Sequence, residues 1–506
     1  MDWQVLLGFI LYFILVLGIG FYFYQRTEKL SDYLLGGRKL NPYVAAMSAQ
    51  ASDMSGWLLL GLPGSIYLFG IGQAWIGIGL AIGSYLAWLI VARRLRHYTY
   101  RAKNSITLSE YFANRFHDKT GILRFLSAVI ILVFFTVYVA SGFVAAGNIL
   151  SSIFPEIGYV AAMAVGVVIV VSYTVTGGFK AICWTDFFQA LLMIVAIVIV
   201  PLAAFGQLGG WSGLEQTLQN TDAGSGFLNF MENANGTSLG IISIISSLAW
   251  GLGYFGMPHI LVRYMALENP RETKIARRVG TGWIVIALTA AILMAVTGRA
   301  LYPDLGNANE TVFIVMVAGM FAPVVMGILY SALMAAVMST ADSQLLVAAS
   351  SVTNDLLRMR KKHLSDKRLV WASRAVVIII SIIAALLAID RNGGIMDLVS
   401  YAWAGFGAAF GPVILLSLYW KRANAKGAFA AMLVGFLTVI LWNTFLVDGG
   451  VIAGGAWCIY DTGLYELLPG FVFATVAMIA VSLATDEPDD EMLRDFDAVA
   501  TEMKED

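Results

Sequence analysis

Long apolar stretches separated by short polar ones dominate the sequence. A helix that crosses a bilayer needs about 20 mostly apolar residues, and windows of that length predict about thirteen spans. The predicted spans lie near 4–24, 43–70, 72–92, 122–150, 157–176, 183–206, 238–262, 280–299, 318–349, 369–389, 396–419, 427–446 and 465–484. The pattern therefore predicts an all-α integral membrane protein.

The composition supports the same fold class. Hydrophobic residues make up 59 % of the 506 residues and charged residues only 13 %, against about 25 % charged residues in a typical soluble domain. So little charge cannot coat a soluble enzyme of this length. The net charge of −1 gives no basis for a nucleic-acid partner. Cys183 and Cys458 offer neither a disulfide framework nor a zinc site.

The distribution of Lys and Arg predicts the orientation, because basic loops face the cytoplasm. Basic residues concentrate in the loops 25–42, 93–121, 263–278, 355–368 and 420–426. Neither the 207–237 loop nor the 447–464 loop contains any. This alternation predicts a multi-pass protein of the cell membrane with its N-terminus outside and its C-terminus in the cytoplasm.

The second predicted span carries an acid at mid-span, Asp53, within the run Ser52-Asp53-Met54-Ser55-Gly56. A carboxylate at that depth costs at least about 2.5–3.5 kcal/mol. Serine, aspartate and glycine also favour local backbone bonding over helix continuation. The alternative is a packing patch in which Asp53 pairs with a cation, but no membrane-depth segment shows an obvious one. We therefore expect a helix break that lines a cavity.

The seventh predicted span contains three glycines and a proline between Trp250 and His259. Such residues should break the helix, and the neighbouring aromatic residues could close over a small ligand. The alternative is a face of small residues that packs against another helix.

The ninth predicted span carries a polar stripe at i, i+3, i+4 and i+7 spacing, which places its members on one face. These are Ala336, Ser339, Thr340 and Ser343. Their carbonyl and hydroxyl oxygens suit a hard, weakly held cation. Alternatively, the hydroxyls bond only their own backbone.

The breaks near 53 and 254 each open a group of five spans, so the second group enters the membrane from the opposite side. Broken helices at matching places in two inverted repeats are typical of secondary transporters with a mid-membrane site. The chain lacks a phosphate-binding glycine loop, which argues against ATP-driven transport. The predicted divisions are 1–42 (an extra helix and cytoplasmic loop), 43–206 (first repeat), 207–237 (external loop), 238–419 (second repeat), 420–485 (two further helices) and 486–506 (a solvated, acidic cytoplasmic tail).

Four motifs together resemble the sodium:solute symporter family, and within it the branch that carries L-proline. They lie at 51–57, 254–259, 336–340 and 400–407. The resemblance runs along nearly the whole chain and weakens in the loops 207–237 and 300–312 and in the tail. It implies a LeuT-like core of five plus five helices. It also implies that Na⁺ is the co-transported ion, without an organic cofactor, and that L-proline is the solute.

The resemblance further implies the functional residues. The sodium ligands would be the carbonyls of Ala51, Met54 and Ala336 and the hydroxyls of Ser339 and Thr340, with Asp53 needed for sodium dependence. The solute would contact Ser55, Gly56, Tyr138, Trp250, Tyr254 and Pro258. Arg38 and Asp186 match positions linked to coupling. Asp342 is an additional acid that could perturb the ion site if it faces inward.

Two alternatives remain open from the residues alone. The same fold could carry pantothenate, another amino acid or a small carboxylate. A non-transporting solute sensor is the other, although the 486–506 segment is too short for a signalling domain. Membrane lipid is an expected partner, and no feature of the sequence calls for an obligatory protein partner.

Overall fold

The computed structural model describes residues 3–24, 30–357, 365–389, 394–451 and 456–505, and helices dominate this part of the chain. The α-helices in chain order are α1 Trp3–Tyr24, α2 Leu30–Leu35, α3 Pro42–Asp53, α4 Leu62–Phe69, α5 Ala74–Leu86, α6 Arg93–Arg101, α7 Leu108–Arg115, α8 Ile122–Ile153, α9 Tyr159–Thr176, α10 Phe179–Gln207, α11 Gly210–Gln219, α12 Ile241–Ala249, α13 Pro258–Ala266, α14 Thr273–Leu301, α15 Val312–Met320, α16 Pro323–Ser350, α17 Asp366–Leu387, α18 Ile395–Tyr419, α19 Ala425–Phe445, α20 Leu467–Ala484 and α21 Asp490–Glu505.

Shorter helical turns extend or connect these helices. Tight turns occupy Gly36–Arg38, Ile71–Gln73, Trp250–Phe255, Pro270–Glu272 and Gly306–Thr311. Wider turns occupy Trp57–Gly61, Ala87–Ala92 and Ser351–Leu357.

Many of the helices are long and apolar enough to cross a membrane. Ten single helices of the described residues meet this criterion, and the bent pair Ile241–Phe255 and Pro258–Ala266 makes eleven. The two parts of that pair meet at an angle of 44°. The all-α, multi-pass membrane prediction is therefore confirmed, whereas the count of thirteen exceeds the number of spans found by this criterion.

The first predicted break is found between Asp53, where α3 ends, and Trp57. The Trp57 indole N–H donates to the carbonyl oxygen of Asp53 at 3.0 Å, so the side chain satisfies a carbonyl at the open helix end. Gly56 lies against α8, where a Cβ atom at this position would come within 2.8 Å of the Ala145 Cβ. The break is therefore packed tightly from the α8 side.

The second predicted break lies at Trp250–Phe255, where the chain forms a tight turn before Pro258 begins α13. The Trp403 indole N–H of α18 donates to the Trp250 carbonyl oxygen at 2.7 Å. A Cβ atom on Gly253 would lie 2.0 Å from the Trp403 Nε1. Glycine is needed here because the indole of α18 occupies the space of a side chain.

The acidic tail corrects one expectation, because its helix α21 packs against the protein instead of being fully solvated. Three of its apolar residues are buried: Met492, Phe496 and Val499. Arg101 binds Asp495 at 2.9 Å and Glu502 at 2.8 Å. The tail is thus an amphipathic helix with one packed face.

Candidate ion and solute site

One side-chain contact joins the two broken segments. The Tyr254 hydroxyl donates a hydrogen bond to Asp53 Oδ2, and both side chains are buried. The partner of Asp53 is a neutral phenol, which agrees with the absence of an obvious cation in the sequence. Among the described protein atoms, the second carboxylate oxygen of Asp53 has no hydrogen-bond partner. This arrangement leaves a buried carboxyl group with one unpaired oxygen at the first break.

The predicted sodium ligands of α3 and α16 lie together. The Ser339 hydroxyl donates to the Ala51 carbonyl oxygen at 2.8 Å, and the Thr340 hydroxyl lies 3.4 Å from the same oxygen. Ser339 is also 3.3 Å from the Ala336 carbonyl oxygen. Met54 lies in the break itself and is fully buried. Uncharged oxygens from two helices thus converge, as a site for a hard monovalent cation requires.

The predicted solute residues surround the same broken segments. Tyr138 of α8 lies beside Ser55 and Asp53. The Tyr254 ring meets the Trp403 ring edge-on, with 5.1 Å between centroids. Trp403 thus borders a predicted solute residue, although no site role was predicted for it from the sequence.

The three remaining predicted solute residues, Trp250, Pro258 and Gly56, lie in or next to the two breaks. Trp250 lies four residues before Tyr254 and is 5 % exposed. Pro258 is buried at the start of α13. Gly56 packs against α8 and, because it has no side chain, can offer a ligand only its backbone groups.

A buried arginine corrects the sequence interpretation. Arg263 was expected in the cytoplasmic 263–278 loop, but it lies in α13 with 1 % of its surface exposed. Its Nη2 atom lies 3.1 Å from Asp186 Oδ2. Its Nε atom donates to the Ser48 hydroxyl at 3.0 Å, and Nη1 donates to the His259 carbonyl oxygen at 2.6 Å. The signal that could have revealed it is the apolar run Tyr264-Met265-Ala266, which continues the helix beyond the arginine.

The polar stripe of α16 therefore serves two clusters. Ser343 accepts a hydrogen bond from Arg263 Nη2 at 2.5 Å, whereas Ser339 lies against Ala51. Asp342 is fully buried and interacts electrostatically with Asp186 and Arg263. Its carboxyl group therefore belongs to this ion-pair cluster and not to the oxygens around Ala51.

Arg38, the other residue linked to coupling, lies apart from these clusters. Its guanidinium donates to Asn104 Oδ1 at 2.8 Å and to the carbonyl oxygens of Met265 and Ser105 at 2.6 Å. Its backbone has a φ of 55°, a conformation that residues other than glycine rarely adopt. Burial, with the nearby Arg96 as a further cause, lowers the pKa of Arg38 to about 9. Arg38 therefore stays charged at neutral pH and links its own connection to the end of α13 and to the connection between α6 and α7.

The sequence matches the model of the sodium:solute symporter family over residues 33–435. The chain belongs to the sodium:solute symporter family. As a member, it is a membrane transporter that couples solute movement to Na⁺, and it is not an enzyme. The co-transported ion is Na⁺, and the family implies no organic cofactor.

Relatives of this symporter match over nearly their whole length. It is 45 % identical to the high-affinity proline transporter PutP of Bacillus subtilis, over 94 % of this chain and 98 % of that one. It is 42 % identical to the sodium/proline symporter of Escherichia coli, over 97 % of this chain and 95 % of that one. The fold matches a substrate-bound, outward-open Na⁺-coupled sialic acid symporter with a TM-score of 0.79 and 18 % identity, over 96 % of this chain and 99 % of that one. The symporter fold is thereby established.

Proposed function

We propose that this symporter couples inward movement of Na⁺ to uptake of L-proline by alternating access. Two relatives at 45 % and 42 % identity are a proline transporter and a sodium/proline symporter. Proline is a zwitterion with a small apolar ring, so its site needs donors for the carboxylate, acceptors for the ammonium and an apolar wall. Tyr138, Tyr254 and the broken backbone near Ser55 offer groups of these kinds.

The observation that carries the proposal is that the ion ligands and the solute wall share one broken segment. Ala51, whose carbonyl oxygen is 2.8 Å from Ser339, lies two residues before Asp53, which accepts the Tyr254 hydrogen bond. A cation that draws α16 toward Ala51 also fixes the start of the break. Binding of either ligand therefore orders the site of the other, which is the basis of coupling.

The residue assignments follow from this arrangement. We assign Ala51, Met54, Ala336, Ser339 and Thr340 to the sodium site, with Asp53 supporting sodium dependence. We assign Ser55, Gly56, Tyr138, Trp250, Tyr254 and Pro258 to solute binding, Gly56 through its backbone. Arg38 and Asp186 are assigned to coupling.

The proposal includes the full topology of thirteen spans. Adding the interrupted stretch from Pro42 to Phe69 and the shorter helix Tyr159–Thr176 to the eleven long spans gives this number. The repeats are then 43–206 and 238–419, inverted relative to one another, with the N-terminus outside and the C-terminus in the cytoplasm.

Uptake of radiolabelled L-proline into proteoliposomes tests the function. An inward Na⁺ gradient should drive accumulation, and an equal K⁺ gradient should not. Uptake that is abolished by unlabelled pantothenate or a small carboxylate, but not by unlabelled proline, would favour another solute. Saturable proline binding without uptake would favour a sensor.

Variants of the solute wall test the pocket. Tyr138→Ala and Trp250→Ala should raise the proline concentration for half-maximal uptake by about tenfold or more, since each aromatic contact contributes on the order of 1 kcal/mol beyond its buried area. The sodium dependence should remain within about twofold of the parent. If both variants keep the parental proline dependence, the pocket lies elsewhere.

A further inference from the structure

An aromatic stack lies between the broken segment and an open cavity. The rings of Trp250 and Tyr465 stack with 5.1 Å between centroids and 20° between planes. Tyr465 belongs to the connection that precedes α20, outside both five-helix repeats. The repeats alone therefore do not account for the surroundings of Trp250.

The cavity has a volume of about 380 Å³. Its lining includes both stacked residues together with Ser247, Asp397 and Ser400. The deeper residues Tyr138, Tyr254 and Asp53 are absent from its lining, as far as the described residues define it. The cavity thus ends at the stack, and the predicted solute site lies beyond it.

Three further contacts hold Tyr465 and Trp250 in place. The Tyr465 hydroxyl donates to the Ser400 carbonyl oxygen of α18 at 2.7 Å, and its backbone N–H donates to the Ser246 hydroxyl of α12 at 3.1 Å. The Trp250 carbonyl oxygen accepts from Trp403 at 2.7 Å. Trp403 in turn contacts Tyr254, so a continuous series of contacts links Tyr465 to the first break.

We propose that Tyr465 is a positioning residue that holds Trp250 over the solute site and closes that site toward the 447–464 side of the protein. This role rests on the proposed function, because it deepens the assignment of the solute pocket. A ring that is fixed by its hydroxyl and backbone needs little further ordering when it stacks on Trp250. It therefore limits access to the pocket more effectively than a freely rotating side chain.

The test uses thiol accessibility, which does not depend on the identity of the solute. In a background with Cys183→Ser and Cys458→Ser, a cysteine at Ser55 lies beyond the stack and a cysteine at Ser247 lies in the cavity. Both are exposed to a membrane-impermeant thiol reagent on intact cells. Tyr465→Ala should speed modification at position 55 about two- to tenfold, as expected for loss of one aromatic pair. Modification at position 247 should change by less than twofold.

Matched variants separate the stack from general effects of the connection. Tyr460→Ala removes another tyrosine side chain of the same connection, one that is 70 % exposed. This variant should leave the modification rates at positions 55 and 247 unchanged. Tyr465→Phe keeps the ring but loses the hydroxyl bond to Ser400, so its rate at position 55 should lie between those of the parent and Tyr465→Ala. If Tyr465→Ala prevents folding, Tyr465→Leu carries the same expectation, because it removes the stack but keeps apolar volume.

Equal rates at position 55 in the parent, Tyr465→Ala and Tyr460→Ala proteins would overturn the inference. That result would leave the proposed function standing, provided that the parent accumulates proline. Conversely, a parent that takes up no proline but shows the accelerated rate in Tyr465→Ala would refute the transport proposal and retain the closing role of Tyr465.

Discussion

The Tyr254 hydroxyl donates a hydrogen bond to Asp53 across 201 positions of sequence. Each residue lies at the break of a different segment, and Ala51 at the end of α3 contacts the hydroxyl stripe of α16. One short stretch therefore contacts both the aromatic wall and the oxygen ligands. This shared element gives the first prediction its direction.

Loss of an ion ligand should weaken sodium dependence more than solute dependence. Thr340→Ala removes one hydroxyl and should raise the Na⁺ concentration for half-maximal uptake about two- to tenfold, the equivalent of one hydrogen-bond-sized contact. Asp53→Asn removes the buried carboxyl group at the break and should raise this Na⁺ concentration further. Uptake titrated with Na⁺ at fixed proline, and then with proline at saturating Na⁺, separates the two effects.

Thr297→Ala is the matched control for this prediction. Thr297 is also buried in a long apolar helix, but its hydroxyl bonds the Leu293 carbonyl oxygen of its own helix at 2.8 Å. Its sodium dependence should equal that of the parent. An unchanged sodium dependence in both Thr340→Ala and Asp53→Asn would refute the assigned ion site.

The two breaks could be predicted because glycine, proline and a mid-span acid act locally on the helix that carries them. Arg263 was missed because its pairing depends on Asp186, a partner from another helix. Its charge groups it with the basic residues that follow it, and the apolar run at 264–266 is the local signal that the helix continues past it.

The orientation can be tested with single cysteines in the background that lacks Cys183 and Cys458. A cysteine at the exposed position Glu215, in the 207–237 loop, should react with an impermeant reagent on intact cells. A cysteine at the exposed position Glu268 should react only after the membrane is permeabilised. The opposite pattern would invert the proposed topology.

Removal of one partner of the ion pair between Arg263 and Asp186 should strongly destabilise the protein. Arg263→Met leaves a buried carboxylate without its cation and should lower the free energy of unfolding by about 3–5 kcal/mol. Adding Asp186→Asn should restore part of the loss, because the uncompensated charge disappears. Thermal unfolding of the purified protein in detergent measures both effects.

A surface charge provides the comparison for the ion pair. Lys119 is exposed, and Lys119→Gln should change the unfolding midpoint little. If the double variant is no more stable than Arg263→Met, the loss arises from packing and not from the unpaired charge.

The docked helix α21 should detach when its central aromatic anchor is removed. Phe496 is 9 % exposed. The centroid of its ring lies 6.4 Å from the centroid of the Tyr98 ring and 5.2 Å from the Cζ atom of Arg94. Phe496→Ala forfeits about 1.5–3 kcal/mol of apolar burial. Protease cleavage within 490–505 should therefore accelerate at least about tenfold.

Added salt should also accelerate cleavage within α21. The ion pairs of this helix with Arg101 and Lys421 are partly exposed, so salt screens them. Arg494→Ala on the exposed face is the control and should leave cleavage slow. Equal cleavage of the parent and Phe496→Ala proteins would show that α21 does not depend on this anchor.

The packing of α21 could have been recognised from the sequence. Met492, Phe496 and Val499 follow i, i+4 and i+7 spacing, which defines one helix face. The high acidic content of the tail predicts solvation, but its apolar face predicts packing. Packing prevails because Arg94, Arg101 and Arg115 provide a surface that is complementary to the acidic helix.

The buried pair of Arg263 and Asp186 also constrains how the chain enters the bilayer during synthesis. An arginine or an aspartate within an isolated helix is costly to insert, up to about 2.5–3.5 kcal/mol on insertion scales at the helix centre. Helix α10 precedes α13, so Asp186 is made first and has no cation until Arg263 follows. We expect α10 to remain near the insertion machinery, or shielded by earlier helices, until α13 arrives. Insertion of these two helices is then a coupled event, and Asp186 of α10 gains its cation only when α13 has been translated.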